Sequence, residues 1–208
     1  MTRESGDLVF EQFARRLDHS MYVVTTRTEA GPAGCLVGFA SEVSIHPPRF
    51  LAGLSIRNHT FRVAQHASYL AVHVVARRHL SLVELFGGCT GDRVNKFDLC
   101  AWHEGPYDMP ILDDAAGWFV GRIHRRLALG DHVGHLLEPI AGQSPRGDEP
   151  LVSLRMYGIS GRVTRREAHS RRVDARNLGV SENRGAFSET VQDWHSLGMH
   201  LRRVSAAV

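Results

Sequence analysis

The densest chemical signal in the chain is the run Gly34-Cys35-Leu36-Val37-Gly38-Phe39-Ala40-Ser41-Glu42-Val43-Ser44-Ile45-His46-Pro47-Pro48. It reads as a strand, a small-residue kink, a second strand and a Pro-Pro turn. A glycine inside a strand marks either a barrel corner or a place where a ligand approaches the backbone closely, and both readings stand. A glycine-containing bend can aim several N–H groups at one anion. Arg57, Asn58 and Thr60 follow at a strand-to-helix junction, where a helix N-terminus adds positive potential. Lys96 is the only lysine in the chain, either an anion contact or a solvated cation. His132 follows Gly130-Asp131; an imidazole there suits either a site that orients a substrate or the cap of a tight turn. His132 and His135 have a spacing that ligates metal on a helix, but on a strand they point to opposite faces, so no metal is expected. Cys35, Cys89 and Cys100 form no C-x-x-C pair, which argues against a zinc site or a disulfide framework. No His or carboxylate adjoins Cys35 or Cys89 to activate a thiolate, so both are expected to be packing residues. There is no G-x-S-x-G, no Walker loop and no paired-carboxylate motif.

These residues need a scaffold. The chain has 208 residues, 43% hydrophobic and 23% charged, enough for one globular domain and an appendage. The net charge of +3 is too slight and unclustered to imply nucleic acid binding. Its 25 basic residues are all arginine except Lys96, which reflects either a GC-rich genome or guanidinium recognition of phosphates and carboxylates. The N-terminus lacks an apolar signal region and no apolar run is long enough to span a bilayer, so a cytoplasmic protein without a membrane segment is expected.

Leu8, Phe10, Phe13, Ala14 and Leu17 predict an amphipathic first helix. Met21-Tyr22-Val23-Val24-Thr25-Thr26, a turn over 29–32 and a strand from Ala33 predict a hairpin. Further strands are expected over 42–45, 50–56, 69–76, 117–129, 132–140 and 151–157, with short helices at 59–66 and 79–86. Closely spaced strands with few helices between them favour an antiparallel barrel over a parallel α/β sheet. Residues 1–161 are expected to form this domain. Residues 162–208 are expected to be an arginine-rich extension with a helix starting at Ser188 and carrying Val191, Trp194, Leu197 and Leu201, acting either as a clamp on a partner subunit or as a mobile arm.

The chain resembles the flavin-reductase-like family, whose fold is the FMN-binding split β-barrel. The 34–48 run has the length of that family's G-M-T-x-S-S-x-x-S-x-S-x-x-P-P pattern. Val23-Val24-Thr25, Thr60, Lys96-Phe97, Trp102 with Gly105, Pro110-Ile111-Leu112, Gly130-Asp131-His132 and Pro150-Leu151-Val152 stand in the family's order. The resemblance covers about residues 10 to 160. It implies a mainly β split barrel with short peripheral helices, and an NAD(P)H-dependent reductase that uses FMN or FAD. It also implies a homodimer with the cofactor at the subunit boundary and, in many relatives, a monooxygenase partner. The cofactor contacts it implies are Gly34, Cys35, Leu36, Val37, Gly38, Ser55, Arg57, Asn58, Thr60, Lys96 and Phe97. His132 takes the catalytic role, beside the docking nicotinamide. One departure stands out: Leu36, Gly38 and Phe39 replace hydroxyl residues and cannot donate side-chain hydrogen bonds to a phosphate. Main-chain amides and the Arg57–Thr60 junction would have to compensate. The change is also compatible with the deazaflavin F420, with direct reduction of an organic substrate, or with a non-catalytic binding module.

Overall fold

A computed structural model of the chain describes residues 5–145 and 147–160. The expected extension over 162–208, with its helix from Ser188, lies outside the described residues.

Nine strands form. β1 (Tyr22–Thr28) and β2 (Gly31–Val37) make the predicted hairpin, closed at Gly31, whose φ of +114° suits glycine. β3 (Ala40–Ser44) and β4 (Arg49–Ser55) flank the Pro47-Pro48 turn, and α2 (His59–Ala64) leads to β5 (Tyr69–Val75). A crossover follows: α3 (Leu80–Gly88), a 3-10 turn at Lys96–Asp98, and the short strands β6 (Trp102–Glu104) and β7 (Pro110–Leu112). The long strands β8 (Ala115–Ala128) and β9 (His132–Gln143) complete the sheet. α1 (Gly6–Ala14) precedes it, capped by the Ser5 side chain, and has no buried residue.

The main sheet is antiparallel, in the order β2-β1-β5-β8-β9-β4-β3, with β6 and β7 pairing separately. Its two edge strands, β2 and β3, are consecutive in sequence and joined by Gly38 and Phe39 alone, so both edges meet at that corner. The sheet curls far enough to put the Tyr22 and Phe50 rings, from β1 and β4, 5.3 Å apart, and Phe119 of β8 lies 5.3 Å from Phe50.

The crossover covers one face. Val23, Val75, Leu82, Val83, Phe86, Phe97, Leu112 and Val152 form its core, each buried to at most 6% exposure. Burying an aliphatic or aromatic side chain is worth about 1.5–3 kcal/mol, so this cluster is the main fastener of the crossover. Strand alternation sorts the residues between faces. Gly34 points at Phe86 of α3, and one residue on Cys35 turns to the opposite face, where it meets Thr60 of α2.

One expectation fails and one element goes unpredicted. The segment predicted as a strand over 151–157 pairs only at single bridges, Ala76 with Leu151 and Ser20 with Ser153, and then becomes α4 (Leu154–Ser160). The reason is local: the Asp18 carboxylate accepts the Arg155 backbone N–H at 2.9 Å and the Ser153 hydroxyl at 3.1 Å, so it caps a helix there. The β6–β7 hairpin also escaped prediction, because three-residue strands are too short to show a period.

Candidate functional site

The site is built where β4 ends and β9 begins. Ser55 and His132 are register partners, and the Ile56 N–H donates to the Asp131 carbonyl at 3.1 Å. β8 turns into β9 through Gly130, at φ +90°, and the Leu129 N–H donates to the His132 carbonyl at 2.9 Å. This is a two-residue hairpin turn. His132 therefore does sit beside a tight turn, with its side chain 22% exposed. The ring's Nδ1 lies 2.8 Å from an Asp131 carboxylate oxygen, which orients Nδ1–H toward the acid and leaves Nε2 presented. The same contact holds the Asp131 carboxyl below its usual range. Phe39 packs edge-on against His132, with centroids 4.9 Å apart, while remaining 65% exposed. Its backbone carbonyl accepts the Gly53 N–H at 2.7 Å, which fixes the β2–β3 corner beside the histidine.

The chain then turns into α2. The Asn58 N–H donates to the Ser55 carbonyl at 2.9 Å, and the Asn58 side chain accepts the Thr60 N–H at 3.0 Å, an N-cap. Arg57 is exposed and forms no ion pair among the described residues. Asp92, absent from the sequence-based set, steadies this turn from outside. Its carboxylate bonds Arg62 and, at 2.9 Å, His59, and those contacts bring it down to about 2. Its only sequence signal was the Gly87–Asp92 loop, rich in turn residues.

Ser55, Arg57, Asn58, Phe39 and His132 thus share one ledge, with the Gly34–Gly38 strand adjoining through the corner. The other expected contacts lie deeper. Cys35 and Val37 are buried, and burial pushes the Cys35 thiol up to about 11, so it stays protonated at neutral pH. Leu36 packs against the crossover core rather than over the ledge. Thr60 is buried with its hydroxyl facing the Cys35 thiol and no oxygen or nitrogen partner among the described residues. Phe97 fills the core between Phe86 and Trp102. Lys96 is not solvated: it is 4% exposed, and its Nζ donates to the carbonyls of Gly34 at 3.1 Å and Phe86 at 3.0 Å. His135, on the opposite face from His132, is buried against Phe61.

The ledge suits an anionic, partly planar ligand. It has a free guanidinium, a helix cap and a hydroxyl for an acidic group, and an aromatic edge with an imidazole for a ring. Leu36 packs away from the ledge on the crossover core, and the Gly38–Phe39 corner is partly exposed.

This arrangement and the antiparallel sheet define a class. Residues 14–157 match the flavin reductase like domain, and the chain belongs to that family. Among curated relatives, the reductase component of 4-hydroxyphenylacetate 3-monooxygenase from Escherichia coli is 26% identical over 139 residues, covering 66% of this chain and 82% of that protein. The FMN reductase (NADH) RutF of Agrobacterium fabrum is 28% identical over 151 residues, covering 73% of this chain and 86% of the relative. The crystal structure of a flavin reductase domain protein from Arthrobacter sp. FB24 matches the fold with a TM-score of 0.65 at 24% identity, covering 72% of this chain and 91% of that one. No helix among the described residues is long and apolar enough to cross a membrane.

Proposed function

We propose that the chain is a cytoplasmic NAD(P)H-dependent flavin reductase of split-barrel architecture, working as a homodimer with FMN or FAD at the subunit boundary and passing reduced flavin to a monooxygenase partner. The observation that carries this reading is the ledge itself: the Ser55–Thr60 turn, with its free Arg57, is hydrogen-bonded directly to the hairpin that presents His132. The family membership and relatives named as an FMN reductase (NADH) and a monooxygenase reductase component support it.

Hydride transfer from reduced nicotinamide is the chemistry a bound flavin supplies. The chain's part is to position and to exclude. Arg57 and the Asn58-capped turn hold the acidic end of the cofactor. Phe39 walls the ring side and keeps water off it. His132, locked by Asp131, presents Nε2 to the incoming nicotinamide and orients it. The homodimer reading draws on the exposed apolar side chains Phe39, Val43, Ile45, Leu127 and Leu129 on the strands and turns around the ledge.

Titration with FMN and FAD, followed by flavin fluorescence quenching, tests cofactor binding. NADH oxidation at the nicotinamide absorbance band, with and without added flavin, tests the reaction. His132→Ala should slow NADH oxidation about tenfold or more while shifting flavin affinity only a few-fold. Equal loss of both would remove His132 from the proposed role.

A further inference from the structure

Lys96 is a buried cation without a counter-ion among the described residues. No carboxylate among the described residues lies within ion-pair distance of it. Buried charges are ordinarily paired, because desolvating one costs several kcal/mol. Here the ammonium is held by dipoles instead. It donates to the Gly34 carbonyl of β2 at 3.1 Å and to the Phe86 carbonyl in the last turn of α3 at 3.0 Å, and it lies 5.4 Å from the Phe86 ring centroid. A helix C-terminus and an aromatic face both favour a cation. Burial alone pulls the lysine below its usual range. The Cys35 thiol stays protonated because burial raises it to about 11, so it does not neutralise the charge. An uncompensated positive charge therefore sits directly behind the Gly34–Cys35 main chain, screened from water by the protein.

We propose that Lys96 is a specificity-determining positioning residue: its unpaired charge, acting through β2 rather than by contact, makes the ledge select phosphorylated flavins over uncharged flavin. This rests on the flavin-reductase reading and says how the site recovers phosphate attraction after losing hydroxyls at Leu36, Gly38 and Phe39. A charge under a strand needs no side chain on the ligand's side, so those substitutions cost little.

The test compares affinities for FMN and riboflavin, which differ by the phosphate alone. Lys96→Gln keeps amide donors for the two carbonyls and removes the charge, and Lys96→Arg keeps the charge. The FMN-to-riboflavin affinity ratio should fall on the order of tenfold in Lys96→Gln, with riboflavin binding nearly unchanged, as expected for one charge acting at several ångströms in a partly screened setting. Lys96→Arg should retain the ratio. Equal weakening toward both flavins in Lys96→Gln, or a ratio lost in Lys96→Arg as well, would mark Lys96 as a structural peg and overturn the proposal. If Lys96→Gln does not fold, Lys96→Met, which keeps the length of the side chain and removes the charge, takes its place with the same two outcomes. Wild-type protein that binds neither flavin would overturn the functional reading itself, which is a separate outcome.

Discussion

The two faces of the sheet treat buried polar groups differently. On the crossover side they are satisfied. Thr25 donates to the Pro110 carbonyl at 2.6 Å, Lys96 has its two carbonyls, and His73 spends both nitrogens, Nδ1–H on the Val23 carbonyl at 3.0 Å and Nε2 on the Leu112 N–H at 3.3 Å. On the α2 side three buried atoms have no partner among the described residues: the Thr60 hydroxyl, His135 Nε2 and Arg126 Nε. All three touch α2. Thr60 is in it, His135 packs on its Phe61, and Arg126 donates to the Ala64 and Ala67 carbonyls at its C-terminal end. Buried polar groups are nearly always paired, and exceptions gather where function has overridden packing. The crossover is therefore the stiff half of the molecule, and α2, which carries the cap of the ledge, is the compromised half.

Acid should erode both halves through their histidines, and this is the largest effect expected. Burial holds His73 and His135 at about 4, with the Arg126 charge adding to the effect at His135, against 6.5 for an ordinary histidine. Between those values the unfolded chain binds protons that the folded one refuses. Stability is thus fully present above pH 6.5 and falls as the pH drops toward 4, by about 3 kcal/mol per ring. Urea unfolding at pH 7, 5.5 and 4.5 reads this directly. A midpoint that stays flat across that range would mean the two rings are not buried neutral.

The contrast between the halves sharpens when each ring is removed in turn. His73→Leu strands the Leu112 N–H and the Val23 carbonyl in the core, and should cost about 3 kcal/mol. His135→Leu gives up one hydrogen bond, Nδ1–H to the Val133 carbonyl at 3.1 Å, and removes an Nε2 that has no partner among the described residues, so it should cost less than His73→Leu, about 1 kcal/mol. It should also flatten part of the acid slope, because only His73 then titrates with a depressed value. Equal costs for the two changes, measured by urea unfolding at pH 7, would end the distinction between a satisfied and a compromised face.

Much of the sheet was legible because its signals are local. Tyr22–Thr28 is dense in β-branched residues, the long strands β8 and β9 bracket a glycine turn, and the order of short motifs pointed to the family. The ledge was half legible. Arg57, Asn58 and His132 announced themselves by type and position, but their convergence depends on the Ser55–His132 register, set by residues far apart in sequence. Lys96 was singled out as the sole lysine, yet its burial could not be read, since neither carbonyl that holds it leaves a mark in side-chain chemistry. Asp92 and the partnerless atoms around α2 are likewise products of tertiary contact. Residues 151–157 misled for the opposite reason: their local pattern suits a strand, and Asp18, distant in sequence, made them a helix start.

The smallest effect tests the stiff half at its closest approach. A Cβ on Gly34 would stand 2.6 Å from Phe86 Cε1 and 3.2 Å from Thr25 Cγ2. The Phe86 ring is buried on all sides and cannot swing away, so Gly34→Ala should cost about 1–2 kcal/mol by overpacking. It should also shift the Gly34 carbonyl off the Lys96 ammonium. Gly88, at the end of α3, meets nothing within 4 Å, so Gly88→Ala should be neutral or slightly stabilising, by a few tenths of a kcal/mol, through the unfolded chain. The pair separates steric contact from backbone entropy at two glycines near the same ring, one facing it from β2 and one two residues on in α3. If thermal melts show Gly34→Ala as harmless as Gly88→Ala, the packing of β2 on α3 is loose. The buried charge behind Gly34 would then sit in a place soft enough to hydrate, and the stiffness assigned to the crossover face would have to be given up.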